Sequence, residues 1–131
     1  MIVVDTSVVV AIIREEDDAA HFINILDGTT AIISVVSYVE TQMVIAGRNL
    51  QSDPRKVADT ISSLGIEIVD VNGEQAGAAI DAFFRFGKGR HCARLNLADC
   101  FAYALAKSRG IPILFKGDDF TQTDIVAARP T

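Results

Sequence analysis

Four short runs of β-branched and aliphatic residues, 2–4 (IVV), 31–34 (AIIS), 66–69 (IEIV) and 113–115 (ILF), are separated by segments long enough for one or more helices. Neighbouring strands joined this way are parallel, because a parallel pair cannot be closed by a tight turn and needs a long, usually helical, crossover. The expected fold class is therefore α/β: a three-layer α/β/α domain with a central, mostly parallel sheet. A chain of 131 residues, half of them hydrophobic, is enough for one such domain with its own core and too short for two large ones.

The apolar runs are interrupted early. Residues 2–4 stop at Asp5 and residues 8–13 stop at Arg14, well short of the roughly 20 residues that span a bilayer. The opening MIVVDTS lacks the basic start and long apolar core of a signal peptide, so a cytoplasmic location is expected. Cys92 and Cys100 are the only cysteines, and with this much core a disulfide is not needed. His91 beside Cys92 lacks further partners for a zinc site.

Helix signals fill the gaps. Thr6 or Ser7 is expected to cap the helix after Asp5, and a second helix covers 18–27. SYVETQMVIA opens with Ser37 and Glu40 at capping-box spacing. Pro54 starts a helix to Leu64, and Asn72 or Gly73 leads into one through Phe86. Asn96 and Asp99 form a second capping box for a helix over 97–109, stopped by Gly110 and Pro112. A helical turn around Phe120 and a last strand near Ile125 complete the domain.

In a parallel sheet, ligands gather at the carboxyl ends of the strands, beside helix N-termini. Asp5, Asp99 and Asp118 follow expected strands or open helices there, and Glu40 falls in the first turn of its helix. Each acid alone reads equally well as a turn or cap residue. Together they are hard oxygen donors of the kind magnesium prefers, and without a cation their proximity would raise at least one pKa. The net charge of −5 argues against a broad basic nucleic-acid surface, but four carboxylates around a cation would account for most of it. In KGDDF either Asp118 or Asp119 can face such a cation. Asp118 is preferred because it lies nearer the strand end.

RFGKGRHCAR brings Arg85, Lys88, Arg90 and Arg94 together. It is either a solvated loop or a basic border that holds RNA phosphates, with Arg90 the preferred contact and Lys116 contributing from the other side. His21 reads as part of an exposed helix, and His91 as an RNA contact or a loop cap. Phe83, Phe84, Phe86 and Phe101 read as core or partner contacts. No serine or cysteine triad, P-loop or early GxGxxG is present.

IVVDTSVVVAI, SVVSYVET and LNLADCFAYALAKSRGIPILFKGDDFTQTDI, in this order and spacing, resemble a PIN-domain ribonuclease of the VapC toxin family, over nearly the whole chain. The resemblance implies a single PIN domain over residues 1–131 and an endoribonuclease toxin that hydrolyses RNA phosphodiesters with Mg2+ or Mn2+. Asp5, Glu40, Asp99 and an acid of Asp118–Asp119 would be metal-binding and catalytic, with Thr6 or Ser7 supporting the first. It further implies a homodimer and a cognate VapB-like antitoxin, with promoter DNA bound only through the antitoxin complex. The alternative from another class is a catalytically inactive PIN-fold interaction or regulatory module. A phosphate-binding response domain is a weaker third reading, for want of a suitable lysine and acceptor aspartate.

Overall fold

The computed structural model of the chain describes residues 1–128, so the expected domain limit at residue 131 lies outside the described residues. The elements run β1 (Ile2–Val4), α1 (Thr6–Ile13), α2 (Ala19–Leu26), β2 (Ala31–Ser34), α3 (Val35–Arg48), α4 (Pro54–Ser63), β3 (Ile66–Val69), α5 (Gly73–Phe86), α6 (Leu97–Arg109) and β4 (Ile113–Leu114), followed by a 3-10 turn at Phe120–Gln122. The sheet order is β3-β2-β1-β4 and every pairing between these strands is parallel. Val3 stands opposite Ile113, and Ile32 opposite Glu67.

The pleat divides the core into two layers. Ile2, Val4, Ala31, Ile33 and Leu114 point to one face and pack with residues of α1, α2, α3 and α4. Val3, Ile32 and Ile113 point to the other and pack with α5, α6 and Phe120. Because side chains alternate along a strand, both faces of β1 and β2 are apolar and both are covered. This is the α/β/α arrangement with a parallel centre that the sequence implied.

Two helix starts differ from expectation. Asp5, not Thr6 or Ser7, is the N-cap of α1: its carboxylate accepts the Ser7 N–H at 3.0 Å. Ser34, not Ser37, caps α3 through the Val36 N–H, so the helix begins two residues before Ser37. The β-branched pair Val35–Val36 reads locally as strand, which hid the true start. Glu40 consequently sits in the second turn of α3 and closes no capping box. Asn96 and Asp99 do form their box.

At the far end, Phe115 lies beyond β4, where the chain turns through Gly117 at φ 100° and Phe115 packs on Phe120. The strand expected near Ile125 shrinks to one parallel bridge, Ile113 with Ala127. The Ile125 N–H bonds to Thr123 Oγ1 instead, which keeps that residue out of the sheet.

Candidate active site

The chain leaves β1 towards β2 and β3 on one side and returns to β4 on the other. The carboxyl ends of β1 and β4 therefore flank the point where the strand order reverses, the usual place for a ligand crevice. A cavity of about 320 Å³ opens there, walled by Asp5, Ser7 and Val10 from the start of α1, by Glu40, Val44 and Arg48 from α3, by Asn96 and Asp99 from the start of α6, and by Lys116 and Asp119 after β4.

Asp5 is buried, and its two oxygens differ. Oδ2 accepts from Ser7 Oγ at 2.6 Å and from the Ser7 N–H. Oδ1 is buried with no hydrogen-bond partner. Burial pushes the Asp5 pKa up, the Ser7 bonds pull it partly back, and the Glu40 charge adds to the rise. Ser7 Oγ also accepts the Lys116 N–H at 2.9 Å, which ties the first acid to the segment after β4. Thr6, the other support candidate, instead donates to the Ser37 carbonyl at 3.2 Å and joins α1 to α3.

Asp99 uses Oδ2 to accept the Asn96 N–H at 3.0 Å, while Asn96 Oδ1 accepts the Asp99 N–H. Cap and site residue are thus the same side chain. Burial, reinforced by Asp5, Asp119 and Glu40, pushes its pKa up to about 7. Asn96 Nδ2 reaches Glu40 Oε2 at 3.5 Å and links the α6 cap to α3. Two carboxylic acids whose pKa values are raised by burial and by neighbouring carboxylates, Glu40 for Asp5 and Asp5 foremost for Asp99, are a mark of a site suited to a positive charge.

The expected fourth acid, Asp118, does not line this cavity; Asp119 does. The two neighbours lie in a turn that follows the left-handed Gly117 and is held by bonds from the Thr121 N–H and Oγ1 to the Asp118 carbonyl. The expected basic contacts separate as well. Lys116 reaches the rim, but its Nζ is shared between Glu16 at 2.8 Å and Asp18 at 3.1 Å. Arg90 lies over the Phe84 ring, 4.5 Å from its centroid, away from the acids. His91 caps its own loop by accepting the Ala93 N–H.

Asn96 and Arg48 were not singled out as site residues from sequence. Glu40, Val44 and Arg48 are spaced four apart, so one face of α3 was legible as a stripe running from an acid to a cation. Asn96 carried a signal too, as a cap three residues ahead of an acid, but nothing in its spacing showed that its amide would reach Glu40.

The donor set suits a hard divalent cation. It consists of carboxylate oxygens, one of them buried and unpartnered, and has no sulfur or imidazole. Among the described residues no three His, Cys, Asp or Glu side chains are grouped tightly enough to grip an ion together. Magnesium-type ions keep several waters and often touch only one or two carboxylates directly, so the spread is compatible with such an ion.

Residues 2–126 match the PIN domain family. Ribonuclease VapC30 of Mycobacterium tuberculosis is 42% identical over 124 residues, covering 94% of this chain and 95% of that protein. Ribonuclease VapC of Mycolicibacterium smegmatis is 43% identical over 130 residues, covering 95% and 98%. Among solved structures, Mycobacterium tuberculosis VapC20, described as a sarcin-ricin loop cleaving toxin, superposes with a TM-score of 0.78 at 17% identity, covering 99% of this chain and all of that one. A toxin–antitoxin complex from Klebsiella pneumoniae gives 0.71 at 16%, covering 95% and 93%. The two structures speak to fold alone, whereas the sequence relatives extend along almost the entire chain. The chain belongs to the PIN-domain family and, within it, to the VapC ribonuclease toxins.

Proposed function

We propose that this VapC protein, a single domain over residues 1–131, is an endoribonuclease that hydrolyses RNA phosphodiester bonds with Mg2+ or Mn2+. It would act in the cytoplasm as a homodimer held in check by a VapB-like antitoxin. The observation that carries the reading is Asp5 Oδ1, buried without a partner on the wall of a cavity shared with Glu40, Asp99 and Asp119. A buried acceptor left unsatisfied costs free energy, and a cation is the ligand that would offset it.

Asp5 and Asp99 would hold the cation most directly, with Glu40 and Asp119 completing the negative wall. When bound, such an ion neutralises charge on a phosphate and makes water more acidic at neutral pH. Ser7 fixes the Asp5 carboxylate, Asn96 fixes Asp99 and steadies Glu40, and these bonds hold the acids in place before substrate arrives. With a pKa near 7, Asp99 exchanges a proton readily and can give it up as a cation enters. Glu40 and Asp119, the less buried acids, would accept hydrogen bonds from an attacking water. Lys116 and Arg90 would contact flanking phosphates only weakly, the first already neutralised by Glu16 and Asp18, the second held over Phe84.

The homodimer is supported by an apolar surface beside the site. Val39 and Met43 of α3, Leu97 of α6, and Ile80, Phe83 and Phe84 of α5 line two grooves that meet at Leu97. Leu97 is 72% exposed and Met43 69%, a patch of the sort that marks association. The alternative, an inactive PIN-fold interaction module, draws its support from the loose grouping of the acids.

One assay separates the two readings. The purified chain, given a broad pool of structured RNA, should cut it with magnesium or manganese and stop when a chelator is added. Asp5→Asn and Asp99→Asn should abolish cutting while the fold is retained by circular dichroism. Cutting by both folded variants at the rate of the parent, or none by the parent with either metal, would overturn the nuclease reading.

A further inference from the structure

The acidic cavity does not end at α3. Arg48, in the last turn of that helix, also lines a larger groove of about 490 Å³ on the far side, between the end of α1, the end of α3 and the start of α4. The charges there are of the opposite sign. Arg14, Arg48 and Lys56 contribute three cations, with Asn49, Gln51 and Ser52 as polar neighbours. Asp53 is the one acid on the wall, and its carboxylate is neutralised by Arg55 at 2.8 Å. Arg48 and Lys56 form no ion pair among the described residues, and Arg14 has only a loose one to Glu16 at 3.8 Å. Elsewhere Lys116, Lys107, Arg85 and Arg55 are engaged with carboxylates, while Lys88, Arg90, Arg94 and Arg109, like Arg48 and Lys56, form no ion pair among the described residues. What distinguishes the groove is therefore its place beside the acids. A chain of net charge −5 thus leaves exposed cations uncompensated along a groove that shares Arg48 with its acid-lined cavity.

We infer that this groove is a backbone subsite for single-stranded RNA, in which Arg48, Arg14 and Lys56 hold successive phosphates on one side of the bond at the acidic cavity. The inference rests on the nuclease reading for the identity of the strand but not for the groove's charge or shape. A polyanion fits for three reasons. The wall offers point charges and hydrogen-bond donors with no aromatic surface for bases, so it reads backbone and not sequence. Arg48 stands at the junction, where it can bridge from the reacting phosphate to its neighbour. The acids at the cavity would repel a phosphate chain unless an adjoining positive track offset them.

The test is binding of a fluorescein-labelled oligouridine with 2′-O-methyl sugars, which cannot be cut, measured by anisotropy across a salt series with magnesium present. Lys56→Ala and Arg14→Ala should each weaken binding about three- to ten-fold at low salt. Each should also reduce the slope of log affinity against log salt by about 0.7, the change for one lost single-strand phosphate contact. Lys56→Arg should restore both quantities. Arg109→Ala, at the opposite end of α6 from Asp99, should leave both unchanged. Parental affinity and slope in the Lys56 and Arg14 variants would overturn the subsite, as would variants that keep RNA binding but escape inhibition by a co-expressed antitoxin, since the groove would then be a protein dock. RNA cutting by the parent is scored separately. Parental cutting with unaffected variants removes the groove and spares the nuclease, while weakened variant binding without any parental cutting does the reverse.

Discussion

Ser7 Oγ stands 2.6 Å from Asp5 Oδ2 and accepts the Lys116 backbone N–H at 2.9 Å, so one hydroxyl joins the ends of two parallel strands and orients the deepest acid. It leaves Oδ1 of the same carboxylate as a buried, unpartnered atom of a residue that lines the cavity. Ser7→Ala removes a bond that favours the charged form of Asp5, whose pKa therefore rises further. The variant should need about ten-fold more magnesium for half-maximal RNA cutting, a difference of about 1.4 kcal/mol. It should also lose roughly 1–2 kcal/mol of stability, because the Lys116 N–H loses its acceptor. Titration of cutting against metal concentration, paired with urea melts, measures both. Unchanged metal dependence would remove Ser7 from the site.

Asp99 gives a pH dependence of definite sign. Its folded pKa is raised from 3.8 to about 7, first by burial and then by Asp5. Between those values the unfolded chain releases a proton that the folded chain keeps, so metal-free stability falls as pH rises through that window and levels off above about 7. Asp5, also raised, acts in the same direction. Asp99→Asn retains an acceptor for the Asn96 N–H without the charge. Below pH 3.8 the two proteins should melt alike. Above about 7 the variant should be the more stable, by on the order of 1–3 kcal/mol. Magnesium should narrow the gap by stabilising the parent. Parallel melting curves across the whole range would contradict the burial-driven shift.

The fold was legible because strand runs and helix periodicities alternate along the chain, although β-branched stretches such as residues 8–10 suit either state locally. Val57, Ile61 and Leu64 mark one helical face, and the β-branched runs mark the strands. Caps were harder. Val35–Val36 carries strand propensity, and only the tertiary packing of α3 places Ser34 and not Ser37 at its start. The same displacement settles how Glu40 is to be read: without a capping box to complete, it is left facing Asn96 and the cavity. That Asp5 and Asp99 meet was readable from strand ends and helix starts. Which of two adjacent aspartates would line the cavity was not, since neighbours in a turn after a left-handed glycine carry no periodicity that tells them apart.

That glycine supports a discriminating pair of substitutions. Asp119 lines the cavity and its charge raises the pKa of Asp99, whereas Asp118 is outside the lining. Asp119→Asn should slow RNA cutting about 10–100-fold, the range for groups that support a metal site. Asp118→Asn should stay within about two-fold, as exposed substitutions commonly cost no more than about 0.5 kcal/mol. Steady-state cleavage of one defined RNA by both variants is sufficient. The reverse order would return the fourth position to Asp118.

Leu97 offers the sharpest test of assembly. It is the first residue of α6, 72% exposed, and it lies where the Val39–Met43 groove meets the Ile80–Phe84 groove. A stable dimer buries about 800 Å² on each partner, and a charge at the centre of such a patch must be desolvated without a partner. Leu97→Glu should therefore convert the proposed dimer to monomer at micromolar concentration. The fold should not suffer, because an acid in the first turn of a helix is favoured by the helix dipole and the native side chain contributes little to the core. Sedimentation velocity gives the mass and a thermal melt gives the control. A parent protein already monomeric, or a variant still dimeric with an unchanged melt, would show that the face at Leu97 serves something other than a second copy.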